Sequence, residues 1–206
     1  MEVCNIHPDR HEHFKFKICV SGASEMAHLS PSAHEFGKEL GRQIVLQGGV
    51  LLTGATTGFP FWAAMGAKEA GGISIGFSPA KNEKEHFENY KLPIDFMDTV
   101  IYTGFGFPGR DLLLTRSSDA IINGPGQIGT FHEFAIAYED EKPIGVLQSD
   151  EWDTDEEIAS ILSKSHRNTT SVVYDRDPKA LVSKLIDLIK KKKINDTHCK
   201  DPYLKQ

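Results

Sequence analysis

The sequence predicts a doubly wound α/β fold, a parallel sheet of about six to seven strands with helices on both faces. Three observations lead there. Short apolar runs alternate with helical patterns along almost the whole chain, which implies βαβ units. Turns rich in Gly, Ser and Thr follow Val20, Leu52 and Ile122, and in such a fold all three lie on the rim where ligands bind. Of 206 residues, 39% are hydrophobic and 25% charged, the balance of one globular domain with a real core.

The elements follow in order. Phe16 to Val20 reads as a first strand, closed by the turn Ser21-Gly22-Ala23-Ser24. Ser30-Pro31 supplies a cap and a first-turn proline for a helix with Phe36, Leu40, Ile44 and Val45 on one face. Gly48-Gly49 stops that helix. Val50 to Leu52 is a second strand, followed by Thr53-Gly54-Ala55-Thr56-Thr57-Gly58 and a small-residue helix ending at Gly71-Gly72. Ile73 to Phe77 is a third strand. The polar stretch from Ser78 to Phe96 is the longest interruption and is expected to be a functional or mobile loop.

Thr99 to Tyr102 is a fourth strand, and a short helix over Gly109 to Arg116 feeds a fifth at Ala120 to Ile122. A helical run from Phe131 to Tyr138 leads to a sixth strand at Pro143 to Leu147. Thr154 to Glu157 is a capping box ahead of Ile158, Ile161 and Leu162. Ser171 to Tyr174 is the last strand, and Asp177-Pro178 opens a helix carrying Leu181, Leu185 and Leu188. The expected organisation is a flexible segment at 1–15, one nucleotide-binding domain at 16–192 and a tail at 193–206.

Composition narrows the function. The formal charge of −6 argues against a nucleic-acid backbone as partner. The run Lys190 to Lys193 reads as a solvated helix end, where cations complement the dipole. Cys4, Cys19 and Cys199 show no pairing pattern, which points to a reducing compartment. No segment has signal-peptide character, and no window approaches the ~20 apolar residues that span a bilayer. A cytoplasmic location is expected. Cys4, His7, His11 and His13 lack the paired halves of a structural zinc site, so a frayed terminus is the reading there.

The richest stretch is Asn123-Gly124-Pro125-Gly126-Gln127-Ile128-Gly129-Thr130-Phe131-His132-Glu133, between a strand and a helix. A glycine-rich turn there exposes N–H groups at the positive end of a helix dipole, a ready anion site. Thr130 adds a hydroxyl, and Glu133 a carboxylate one turn further on. Phosphate donors beside a carboxylate suggest a nucleotide monoester.

Those residues resemble the LOG family of Rossmann-type proteins, once described as lysine decarboxylase-like, whose signature is P-G-G-x-G-T-x-x-E with an upstream arginine. Pro125 to Glu133 matches at every fixed position but one. Arg110 keeps the family arginine's spacing to Ser118-Asp119-Ala120, and the turns at Ser21 and Thr53 resemble the family's two earlier ones. The resemblance runs from about Phe16 to Leu188. It implies hydrolysis of the N-glycosidic bond of a purine nucleoside 5′-monophosphate such as AMP, with no metal or redox cofactor, in a homodimer whose site lies near the subunit interface. Arg110 and Glu133 match the catalytic pair. Gly126, Gly129 and Thr130 match the phosphate turn, with Gly22, Ser24, Gly54, Thr56, Gly58 and Gln127 as further candidates for nucleotide contact.

The chemistry suits these groups. Cleavage develops positive charge on the sugar, which a carboxylate stabilises while it orients or deprotonates water. A guanidinium stays cationic and holds phosphate or ribose oxygens. Two departures favour an alternative, a non-catalytic nucleotide sensor or carrier. Gln127 replaces a glycine whose positive φ would let a phosphate approach, and Asp111 replaces a lysine beside Arg110. No pyridoxal phosphate-holding run supports a decarboxylase.

Simpler readings stand beside these. The glycines shape a turn, Glu133 complements a helix dipole, Arg110 pairs with Asp111 or Glu133, and His132 faces solvent. Phe59, Phe61 and Trp62 pack on the sheet, with stacking on a purine as the lesser option.

Overall fold

The computed structural model describes residues 15–25, 30–165 and 171–197, with side chains as far as Lys192. Among the described residues seven strands and seven helices alternate: β1 (Lys17–Ser21), α1 (Pro31–Leu46), β2 (Val50–Thr53), α2 (Phe59–Glu69), β3 (Ser74–Ser78), α3 (Glu83–Glu88) and β4 (Thr99–Tyr102) form the first half. The second comprises α4 (Gly106–Ser117), β5 (Ala120–Asn123), α5 (Ile128–Glu139), β6 (Ile144–Leu147), α6 (Thr154–Lys164), β7 (Val172–Asp175) and α7 (Pro178–Thr197). The strands form one parallel sheet in the order β4-β3-β2-β1-β5-β6-β7. This is the Rossmann-like architecture that the alternating pattern predicts.

Period-2 alternation sends neighbouring side chains to opposite faces. Ile18, Val20, Leu51, Ala120 and Ile122 pack with Leu40 and Ile44 of α1, Phe59 and Ala63 of α2, and Leu181 and Leu185 of α7. Cys19, Leu52, Phe77, Ile121 and Val146 pack on the other face with Leu114 of α4, Phe134 of α5 and Ile158 of α6. From β1 the chain builds outward through β2, β3 and β4, then returns to add β5 on the opposite side of β1. The loops after β1 and β5 therefore diverge to opposite faces, and a crevice opens between them.

Several expectations change. The stretch from Ser78 to Phe96 contains α3, capped by the Asn82 side chain, which accepts from the Glu85 N–H at 2.9 Å. It is also pinned from within. His86 is fully buried, bonded through Nδ1 to the Ser78 hydroxyl at 2.8 Å and through Nε2 to the Pro93 carbonyl at 3.0 Å. At α6 the cap position is Asp153 rather than Thr154, because the Thr154 hydroxyl is engaged across the molecule by Gly126. At α7, Asp177 accepts from the Ala180 N–H at 3.1 Å, as a cap should. The helix runs to Thr197.

The candidate zinc residues Cys4, His7, His11 and His13, with the rest of 1–14 and 198–206, lie outside the described residues. Among the described residues no group of three His, Cys, Asp or Glu is placed to hold a metal ion. Nor, among them, is any helix long and apolar enough to cross a membrane.

Candidate functional site

A cleft of about 250 Å³ lies at the crevice beyond β1, β2 and β5. Its walls are the turns after those strands, the first turn of α5 and one face of α4. Of the residues singled out from sequence, Gly22, Ser24, Gly54, Thr56, Arg110, Gln127, Gly129, Thr130 and Glu133 line it; Gly58 and Gly126 do not. Phe107, Ile128 and Asp111 also line it.

Three charged side chains form its floor. Arg110, Asp111 and Glu133 are only 6%, 6% and 7% exposed. Arg110 Nε lies 3.4 Å from Asp111 Oδ1, and Nη1 lies 3.5 Å from Glu133 Oε1. The Ser21 hydroxyl, at the end of β1, donates to Glu133 Oε2. His132 Nδ1 donates to Asp111 Oδ2 at 2.9 Å, with the histidine side chain 44% exposed. A chain of polar contacts thus runs from solvent at His132 through Asp111, Arg110 and Glu133 to Ser21.

The glycines explain how the guanidinium fits. A Cβ on Gly54 would fall 1.7 Å from Arg110 Nη1, so the β2–α2 turn must be bare where the arginine passes. On its other side the guanidinium carbon sits 5.7 Å from the centroid of Phe107, a cation–π contact. Gly22 has a different task, since a Cβ there would lie 2.7 Å from the buried Phe59 ring. Gly58 carries a φ of +72° at the entry to α2 and packs against the Ala23 carbonyl. Phe59 itself is fully buried beneath these turns, which makes it core rather than a stacking surface.

Burial pushes the Glu133 carboxyl up to about 7; Asp111 acts in the same direction, while Arg110, the Ser21 hydroxyl and His132 oppose it. Cys19, beneath this cluster, is driven well above the ordinary thiol range, chiefly by burial and then by Glu133, so it stays neutral.

The first turn of α5, expected from the sequence to bind a phosphate, lines the cleft. Ile128, Gly129 and Thr130 are its first residues, whose N–H groups have no acceptor within the helix. The space over Gly129 is open: a Cβ there would meet no atom within 4 Å. The Gly126 N–H, expected among the phosphate donors, is already spent. It donates to Thr154 Oγ1 at 2.9 Å, and the Thr154 hydroxyl donates back to the Gly126 carbonyl at 3.2 Å. Gln127 precedes the helix at φ −125°, extended backbone open to any residue, so it neither strains the turn nor needs to be glycine.

Sequence reasoning missed Ser21 and the Asp111–His132 pair. Ser21 had a signal, as the last residue of a strand on the rim. The pair had none, because it depends on how α4 packs on α5.

A model of the SLOG cluster4 family matches residues 15–182. The chain belongs to the SLOG cluster4 family. It is accordingly one of the LOG-like Rossmann-type proteins that its turns resemble. Solved relatives of this SLOG cluster4 chain include the molybdenum cofactor binding protein of Rippkaea orientalis, 32% identical, with a TM-score of 0.68 over 87% of this chain and 98% of that one. The molybdenum cofactor carrier protein of Chlamydomonas reinhardtii is 28% identical, with a TM-score of 0.70 over 86% and 99%. An uncharacterized protein of Archaeoglobus fulgidus is 32% identical over 132 residues, 64% of this chain and 80% of its own. DNA processing protein A of Helicobacter pylori, at 18% identity and a TM-score of 0.60, shares the fold alone.

Proposed function

We propose that this SLOG cluster4 protein is a carrier that holds a phosphate-bearing small molecule in the cleft without cleaving it. One observation carries the reading: both carboxylate oxygens of Glu133 are engaged, Oε2 by the Ser21 hydroxyl and Oε1 by Arg110. The arginine and the serine hold the carboxylate as part of the floor, an arrangement that a binding role explains without any bond being broken. The phosphate binds the Ile128 to Thr130 amides at the positive end of α5. Two relatives named for the molybdenum cofactor make that cofactor, beside nucleoside monophosphates, the first ligand to test.

A second reading, hydrolysis of a nucleoside 5′-monophosphate such as AMP, has one observation in its favour. Glu133 lies beside Arg110 and is held near 7, a useful value for a general base. Calorimetry with each candidate ligand, followed by chromatography of the mixture, separates the two. Binding with intact ligand recovered supports the carrier, whereas free base and ribose 5-phosphate support the hydrolase.

The protein works as a homodimer in the cytoplasm. The exposed Ile101 on β4, Phe105 just before α4, and Leu112 and Leu113 on α4 support an apolar subunit contact. The cysteine usage read from the sequence supports the compartment.

A further inference from the structure

One guanidinium serves two carboxylates on the floor of the cleft. Arg110 contacts both Asp111 and Glu133, and all three side chains are buried. With both acids ionised the floor carries a net negative charge where water scarcely reaches. Burial penalises that charge, and a proton on one acid removes it. Asp111 has a second partner, since His132 Nδ1 donates to its Oδ2 at 2.9 Å. Glu133 has only Arg110 Nη1, at 3.5 Å, and the Ser21 hydroxyl, so the proton falls to Glu133. The Ser21 contact survives the change, because a hydroxyl that donates to a carboxylate can accept from a carboxylic acid.

Glu133 also stands beside the turn that the carrier reading gives to the phosphate. Residues three or four apart share a helix face, with Cβ atoms about 5–6 Å apart, which places Glu133 one turn beyond Gly129 and Thr130. All three line one cleft. An ionised Glu133 repels a phosphate there, and a bound phosphate in turn favours the neutral acid. Resting on the carrier reading above, we infer that a phosphate-bearing ligand enters the cleft together with a proton that Glu133 takes up from solvent, so that the ligand is held while this side chain is neutral and let go as it ionises. The groups that face Glu133 are Arg110 and Asp111 from α4, His132 from α5, and the Ser21 hydroxyl and Cys19 thiol from β1. The turn after β2 brings Gly54 and Thr56, which carry no charge, and Glu25 on the cleft wall is exposed. Cys19 stays neutral, whereas Glu133, held near 7, changes charge around neutral pH.

The test is calorimetric titration of the full-length protein with AMP and with GMP between pH 7 and pH 8.5, where a phosphate monoester, with a second pKa of about 6, is mostly a dianion. Over that range the affinity of wild type should fall about five- to tenfold, and that of Glu133→Gln less than about twofold. At pH 7.5, titration in buffers of different ionisation enthalpy counts protons, and wild type should take up about half a proton more per ligand than Glu133→Gln. His132 is present in both proteins, so the difference belongs to Glu133. Asp111→Asn, an independent variant, removes the neighbouring negative charge and should move the uptake to lower pH, leaving little of it at pH 8.5. Uptake that neither variant alters, or an affinity indifferent to pH, overturns this inference and leaves the carrier reading standing. If neither nucleotide binds at any of these pH values, the carrier reading falls and this inference with it.

Discussion

Replacing Glu133 by glutamine should stabilise the protein at alkaline pH and do nothing comparable at acid pH. Burial raises this carboxyl from its ordinary 4.5 to about 7 in the folded chain, while in the unfolded chain it returns to the ordinary value. A folded-state pKa above the unfolded one means that the native protein binds the extra proton between those values. Its contribution is therefore fully present below pH 4.5 and is lost as pH rises through about 7. At about 1.4 kcal/mol per pH unit, that rise amounts to about 3 kcal/mol. Glutamine keeps the shape and an oxygen for the Ser21 hydroxyl, and it carries no charge to bury. Urea unfolding of wild type and Glu133→Gln at pH 4.5 and pH 8.5 measures the effect. Other titrating groups are common to both proteins, so the difference between them isolates Glu133. The stability of the variant relative to wild type should rise by about 3 kcal/mol from the lower to the higher pH. A constant difference, or one that moves toward wild type as pH rises, would refute the reasoning that desolvation outweighs Arg110 at this carboxylate.

Three further outcomes follow from the packing. Gly129→Ala adds a methyl into open space, so the unfolding midpoint should hold or rise, while affinity for a phosphate ligand falls at least several fold in calorimetry. Gly54→Ala drives a Cβ into Arg110 Nη1 and should cost about 1–3 kcal/mol by urea unfolding, because the guanidinium is hemmed in by Phe107 and both carboxylates. His86→Ala removes one of the two partners of the buried Ser78 hydroxyl, which keeps only the Ala80 N–H at 3.0 Å, and takes the ring from the Pro93 carbonyl beside a cavity, and should cost about 2–4 kcal/mol; hydrogen exchange should then speed up between Ser78 and Phe96.

The sheet was legible because its inner strands are buried on both faces and read as apolar runs between glycine-rich turns. Each strand end lies within a residue of its expected place, since apolar runs such as Ala120 to Ile122 are short and bounded by turn residues. α3 was not legible from periodicity, because a helix of six residues has no apolar stripe to display. Its signal was Asn82 followed three residues later by Glu85, a cap written in polar residues. On the rim, Glu133, Gly129 and Thr130 stood out because turn chemistry is local, and Arg110 because its spacing to Ser118-Asp119-Ala120 resembles the family's. What the turn does with its amides is not local. Gly126 gives its N–H to Thr154, which stands 28 positions away in sequence, and no spacing rule reveals that. The same holds for Asp111. Beside Arg110 it reads as a charge reversal, and only the packing of α4 against α5 shows that it ties the arginine to His132.

The most direct measurement is a ¹H–¹⁵N spectrum of the protein titrated with GMP, with the ligand recovered and chromatographed afterwards. The amides of Ile128, Gly129 and Thr130 should shift most, that of Gly126 should shift little, and the nucleotide should come back whole. Shifts centred elsewhere on the sheet, or free guanine accumulating with time, would contradict a cleft that grips a phosphate and leaves its ligand intact.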